Sequence, residues 1–204
     1  MRKRLIIGSL NPAKINEWAD FFREFGLEVE QESNLENLPK PDETGVTFIE
    51  NARLKAVGYA KLLHKYVFAD DGGYEIDALD GLPGVKSRRI LPGDKEGTDQ
   101  ELIDYVLEKM RGISYEKRTV KLTSAAALSD PHGEIIFEEI CSSPGIIAEK
   151  QGPILISGYP FRSIHLLPEL GKTYAELTEE EYKKYSHKRP VAKRLAKFLL
   201  EYKG

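Results

Sequence analysis

The feature that most narrows the fold lies in residues 4–32. RLIIGS, Arg4 to Ser9, is a short apolar run with strand character. Pro12 then stands at a natural first helical position, and AKINEWADFFREFG follows. Ile15, Trp18, Phe21, Phe22 and Phe25 recur there at helical spacing, with Gly26 as a C-terminal stop. LEVEQE resumes a strand pattern, so the chain opens as βαβ.

The same alternation continues. Ser33 to Gly45 is polar and punctuated by proline, which reads as a loop. Thr47 starts a second helix with Glu50 at capping-box spacing, and NARLKAVGYAKLLHK carries it on to the strand YVFAD. Asp70 and Asp71 close that strand, and Gly72-Gly73 reads as a turn. A helix is expected over roughly Thr98 to Met110. A β-hairpin is expected around Asp130-Pro131-His132-Gly133, and the tail is helical around Pro190. Strands alternating with helices around an inserted hairpin define an α/β fold, with no repeat and no clear interdomain linker.

Composition limits the partners. Thirty Lys and Arg against 33 Asp and Glu give a net charge of -3, which advertises neither duplex nucleic acid nor an anionic membrane. Cys141 is the only cysteine, so neither an intrachain disulfide nor a cysteine metal cluster can form, and a reducing cytoplasm is the economical location. The basic start MRKR precedes an apolar run, Leu5 to Ile7, too short for a secretion signal, and no segment has transmembrane length. The expectation is a soluble cytoplasmic protein.

Four stretches carry chemistry. SLNPAK sits at a strand-to-helix junction, where Ser9, Asn11, Lys14 and free N–H groups at the helix end make an anion site. A simple cap by Asn11 ahead of Pro12 accounts for the same residues. In ETGVTFIENARLKA, Glu43 lies on a loop where a carboxylate can approach a cation. Lys55 is placed either to reach phosphate or to be solvated. In FADDGG, pleating sends neighbouring side chains to opposite faces, so only one of Asp70 and Asp71 faces a ligand directly. With Glu43 it can hold Mg²⁺, which accepts few carboxylates and takes its other ligands from water and phosphate. In YSHKRP, His187, Lys188 and Arg189 can read a base edge or a phosphate. His64, His132 and His165 have no metal-ligand spacing and read as structural.

The order of these pieces is more telling than any one of them. Ser-x-Asn-x-x-Lys, then Glu-Thr-Gly-x-Thr-Phe-x-Glu-Asn-Ala, then Ala-Asp-Asp-x-Gly-x-Glu-x-Asp-Ala-Leu-x-Gly-x-Pro-Gly-Val, then Gly-Lys-Thr-x-Ala-Glu-Leu and finally Ser-His closely resemble the inosine triphosphate pyrophosphatase family, from Ile6 to about Leu195. The resemblance implies one domain over residues 1–204, an elongated two-lobed α/β fold. Its long mixed central sheet would be flanked by helices, with the active site in the cleft between the lobes. It implies a homodimer, and Mg²⁺-dependent cleavage, with Mn²⁺ able to substitute, between the α and β phosphates of ITP, dITP and XTP. By position, Ser9, Asn11, Lys14 and Lys55 would hold the triphosphate. Glu43 and Asp71 would hold the metal, with Asp71 as general base. Tyr159 and Phe161 would line the base pocket, and Ser186 with His187 would contact the base.

Three positions depart from the family pattern. Gly72 replaces a serine in the phosphate site, and Lys188 replaces an arginine after Ser-His. In SGYPFRSIHLLPE, Arg162 stands near the place of an expected aspartate in the base pocket. The same chemistry on another modified nucleotide, or a nucleotide sensor with weak turnover, are the competing expectations.

Overall fold

The computed structural model describes residues 4–30, 32 and 34–203. Gln31 of the LEVEQE run, Ser33 at the start of the polar loop and the first residues of the basic MRKR start lie outside the described residues. The elements run β1 (Arg4–Ile7), α1 (Pro12–Glu24), β2 (Glu28–Glu30), α2 (Phe48–Leu63), β3 (Tyr66–Ile76), α3 (Asp99–Lys109), β4 (Thr119–Ser129), β5 (Ile135–Ile147), β6 (His165–Leu167), β7 (Lys172–Thr173), α4 (Glu179–Tyr185) and α5 (Lys188–Glu201). Seven strands form one sheet in the order β2-β1-β3-β4-β5-β6-β7. Strand β1 is parallel to β2 and β3, whereas β5-β6 and β6-β7 are antiparallel, so the sheet is mixed. Among the described residues no helix is long and apolar enough to cross a membrane.

The helix starts follow local chemistry. Asn11 caps α1, and Pro12 occupies a first-turn position that needs no N–H. Thr47 and Thr98 begin α2 and α3 with complete capping boxes to Glu50 and Glu101. The tail forms two helices broken at Ser186 and His187, with Pro190 in the first turn of α5, where a missing N–H costs no helical bond.

One expectation is overturned. The chain does not turn at Gly72-Gly73: β3 runs on through both glycines to Ile76. The turn comes at Asp80-Gly81, where φ is 52° and 81° and the Gly81 N–H closes onto the Ile76 carbonyl. A positive φ is what Asp-Gly supplies cheaply, and here only the second Asp-Gly pair is used that way.

By contact the chain divides into two compact units. One comprises Met1–Asp71, Ser124–Cys141 and His187–Gly204; the other comprises Gly72–Thr123 and Ser142–Ser186. In the first, pleating of β3 sorts its core. Val67 packs with Ile6, Tyr59 and Ala60 on the α2 side. Phe68 meets Trp18 and Phe22 of α1 at ring-centroid distances of 4.7 and 5.0 Å. In the second unit, Leu102, Ile103, Val106 and Met110 of α3 are buried with Tyr74, Val120, Ile147, Phe161 and Tyr174.

Candidate active site

The alternation that sorts Val67 from Phe68 reaches Asp70 and Asp71 at the end of the first unit. Asp71 falls on the α2 side and Asp70 on the α1 side.

On the α2 side, Asn51 in the first turn of the helix receives the Gly45 N–H on its Oδ1 at 2.8 Å. A Cβ on Gly45 would lie 2.6 to 2.9 Å from Glu50 and Asn51 atoms, so only glycine lets the loop press this closely on the helix. That loop carries Glu43. Lys55 Nζ lies 3.1 Å from Glu43 Oε2 and 3.1 Å from Asp71 Oδ1, and Asn51 Nδ2 donates to Asp71 Oδ2 at 3.3 Å. An ammonium thus stands between two carboxylates. Burial alone would depress the Lys55 pKa, but Asp71 and Glu43 outweigh it and raise it. Burial raises the Asp71 pKa more than Lys55 and Lys14 lower it, and the like charge of Glu43 adds to the rise. Glu43 keeps 45% side-chain exposure, so this side is open to solvent.

On the α1 side, Asp70 is 1% exposed. Lys14 Nζ approaches its Oδ2 to 3.2 Å and Lys188 Nζ to 3.7 Å. Lys188 also donates to Glu17 Oε2 at 2.8 Å and sits 5.3 Å from the Trp18 ring centroid. Burial pushes the Asp70 carboxyl up, yet the ammonium groups of Lys14, Lys188 and Lys55 hold it down at about 2. It is a buried charge kept ionised by its partners.

At the SLNPAK helix end the N–H groups are taken up locally. Asn11 Oδ1 accepts from Ala13 and Lys14, Ser9 Oγ accepts from Asn11, and Ile15 donates to the Asn11 carbonyl. Pro12 has no N–H, so each N–H at this end of α1 has an intramolecular acceptor, as the Asn11 cap implies. The positive charge available there is the Lys14 ammonium.

His187 is buried, with Nε2 at 3.4 Å from Ser124 Oγ, and Lys188 faces Glu17 and Asp70. Arg189 pairs with Glu24. In the second unit, Gly72 lies within β3, and the buried Ser186 Oγ has no hydrogen-bond partner. Phe161 is a core residue 5.3 Å from the Tyr74 ring. Arg162 is buried, its guanidinium 3.7 Å from the Tyr159 ring centroid and 5.3 and 5.6 Å from those of Tyr174 and Tyr182. Among the described residues no three His, Cys, Asp or Glu side chains converge as a metal group. Glu43 and Asp71 remain a pair around one cation. Sequence reading gave no role to Glu17 or Asn51, and it separated the two aspartates without saying which of them turns away. Their signal was faint: Lys14 and Glu17 lie one helical turn apart beside Trp18, polar residues bordering an apolar stripe.

The mixed sheet carries two adjacent carboxylates midway along its third strand, each met by a lysine. The chain belongs to the Ham1 family, whose model matches residues 5–198. It is 36% identical to the dITP/XTP pyrophosphatase of Bacillus subtilis (strain 168), over 97% of each chain. Among solved structures it is similar to the Staphylococcus aureus Ham1 protein, with TM-score 0.79, 33% identity and coverage of 97% of this chain and 98% of that one. It is also similar to a HAM1 protein from Coxiella burnetii, with TM-score 0.80, 31% identity and coverage of 98% and 100%.

Proposed function

We propose that the protein is a Mg²⁺-dependent nucleoside triphosphate pyrophosphatase acting on ITP, dITP and XTP. The observation that carries this reading is the pairing of Glu43 and Asp71 about the Lys55 ammonium, which marks a place already arranged for a cation. Two carboxylates are the complement Mg²⁺ accepts when phosphate and water supply the rest, so the donor set fits. Mg²⁺ held there supplies positive charge against the phosphate oxygens. Ser9, Asn11, Lys14 and Lys55 would hold the triphosphate. Asp71 would take a proton from the attacking water as its oxygen bonds to the α phosphorus. The bond from that phosphorus to the α–β bridging oxygen breaks, leaving the monophosphate and pyrophosphate.

Base selection is assigned to Tyr159, Phe161, Arg162, Ser186 and His187, and the enzyme is read as a cytoplasmic homodimer. The unpartnered Ser186 hydroxyl supports a base contact. The ring-stacked Arg162 favours a base presenting acceptors, as O6 and N7 of a 6-oxopurine do. Gly72 supplies no hydroxyl there. Lys188, engaged with Glu17 and Asp70, acts behind the site.

The test is pyrophosphate release from ITP, dITP, XTP and ATP, with Mg²⁺ and with EDTA. The first three should turn over and ATP should not. Chelation should abolish turnover, and Mg²⁺ or Mn²⁺ should restore it. Asp71→Asn should lower turnover by ~10²–10⁴-fold while nucleotide still binds. Full activity in EDTA overturns the metal assignment. Binding without turnover makes the protein a sensor, and release of orthophosphate moves the cleaved bond.

A further inference from the structure

We propose that Asp70 is a positioning residue that aims the Lys14 ammonium at the polyphosphate, and that the Glu17–Lys188 pair holds Asp70 for that task. The proposal rests on the pyrophosphatase reading for what Lys14 touches, and on the α1 side of β3 for everything else.

Asp70 is out of reach of water and metal. Its carboxylate has no side-chain exposure, and neither oxygen has a hydrogen-bond partner, so its hold on Lys14 and Lys188 is Coulombic. A carboxylate in that state is costly to bury unless opposite charge is fixed beside it. The set is balanced: Glu17 and Asp70 against Lys14 and Lys188. Its members are unequal in one respect. Side-chain exposure is 0% for Asp70, 3% for Lys188 and 7% for Glu17, but 19% for Lys14. Lys14 is the one member that leads outward.

Lys188 is closer to Glu17, at 2.8 Å, than to Asp70, at 3.7 Å, and Lys14 is closer to Asp70, at 3.2 Å. The charges therefore resolve into two linked pairs. Glu17 takes most of Lys188, which leaves Asp70 directed at Lys14. A free lysine loses rotamer freedom when it is fixed. A carboxylate locked in a strand and shielded from water removes that cost from substrate binding, because its attraction is strengthened by the low local dielectric. Adjacent aspartates thus divide the work: Asp71 faces the reaction, and Asp70 prepares a cation for it from behind.

The experiment is a double-mutant cycle with Asp70→Asn and Lys14→Met, read by calorimetric binding of inorganic pyrophosphate with Mg²⁺ and by KM and kcat for ITP. Each single change should weaken pyrophosphate binding about tenfold, the scale of one oriented contact to a charged group. In the Lys14→Met background Asp70→Asn should cost nothing further, and in the native background it should raise KM more than it lowers kcat. Independent, additive losses overturn the proposal, since a general packing defect does not depend on Lys14. So does unchanged pyrophosphate affinity with a collapsed kcat, which would make Asp70 a base. If Asp70→Asn alone does not fold, Asp70→Asn/Lys188→Gln keeps the buried set neutral, and the same comparison with and without Lys14 decides. If no nucleotide is hydrolysed but pyrophosphate binding still shows the coupling, the pyrophosphatase reading fails and the positioning role stands.

Discussion

Asp70 and Asp71 are neighbours in sequence but occupy different environments. On the α2 side of β3, Asp71 shares one lysine with a half-exposed glutamate and accepts a bond from Asn51. On the α1 side, Asp70 is enclosed by two lysines, one of them tied to a second buried acid. One residue of pleat separates a carboxylate on the solvent-open side from one that is fully buried. A charge left partly open keeps capacity for ligands, whereas a buried charge is met by the protein's own groups. The contrast predicts that function is lost first on one side and stability first on the other.

The largest stability effect belongs to the closed side. Lys188→Met leaves Glu17 buried without its ammonium, and breaking a buried pair from one end costs about 3–5 kcal/mol. Urea unfolding should show that loss, and Glu17→Met/Lys188→Met should recover most of it. On the open side, Lys55→Met should cost less, because water can reach Glu43 and Asp71 keeps its bond from Asn51. Equal losses from the two lysines would erase the distinction between the sides.

A buried titratable group in the second unit sharpens the point by its opposite choice of charge. His165 is fully buried, with Nδ1 3.3 Å from the Tyr74 hydroxyl, Nε2 3.3 Å from the Pro144 carbonyl oxygen and the Tyr174 ring alongside. Burial pulls its pKa down to about 4, the Pro144 carbonyl opposing and the Arg162 charge assisting. Asp70 stays charged because ammonium groups surround it; His165 stays neutral because rings and a cation do. The unfolded chain binds a proton at this site below about pH 6.5, the native state only below about 4. Stability from this group is therefore full above about pH 6.5 and declines as pH falls to about 4. The total is about 3 kcal/mol, and below that there is no further change. Thermal unfolding across that range should show the slope, and His165→Gln should remove it. A slope that survives the substitution assigns the proton uptake elsewhere.

The sequence exposed features with local causes. Asn11-Pro12, Thr47 with Glu50, and Thr98 with Glu101 start helices where their own side chains satisfy the first N–H groups, so no distant partner was needed. Gly72-Gly73 misled because Asp-Gly is turn chemistry only when the sheet does not claim it, and β3 is held by strands far away in the chain. The Glu43, Lys55 and Asp71 cluster could be anticipated from motif order. That Lys188 would face Glu17, 171 positions away, could not. Nor could Arg162's burial against tyrosine rings be read from a loop whose spacing is its own.

The smallest effect concerns how Asp71 is held. Asn51 is buried and bonded at both ends of its amide, to the Gly45 N–H and to Asp71 Oδ2. Asn51→Ala removes both bonds, and a net contribution of about 1 kcal/mol is ordinary for such contacts, so urea unfolding should shift only slightly. Turnover should fall more visibly, roughly tenfold, because a small misplacement of a catalytic carboxylate is amplified in rate. KM should barely move, since the proposed phosphate contacts are made by Lys14 and Lys55 and not by Asn51. Asn51→Asp divides the two bonds: it keeps an acceptor for Gly45 but turns the donor facing Asp71 into a second carboxylate. If orienting Asp71 is what matters, Asn51→Asp should be as slow as Asn51→Ala or slower, despite retaining the loop contact. Near-native turnover in Asn51→Asp would show that Asn51 serves the Gly45 loop alone, and that the open side needs only Lys55 to place its carboxylate.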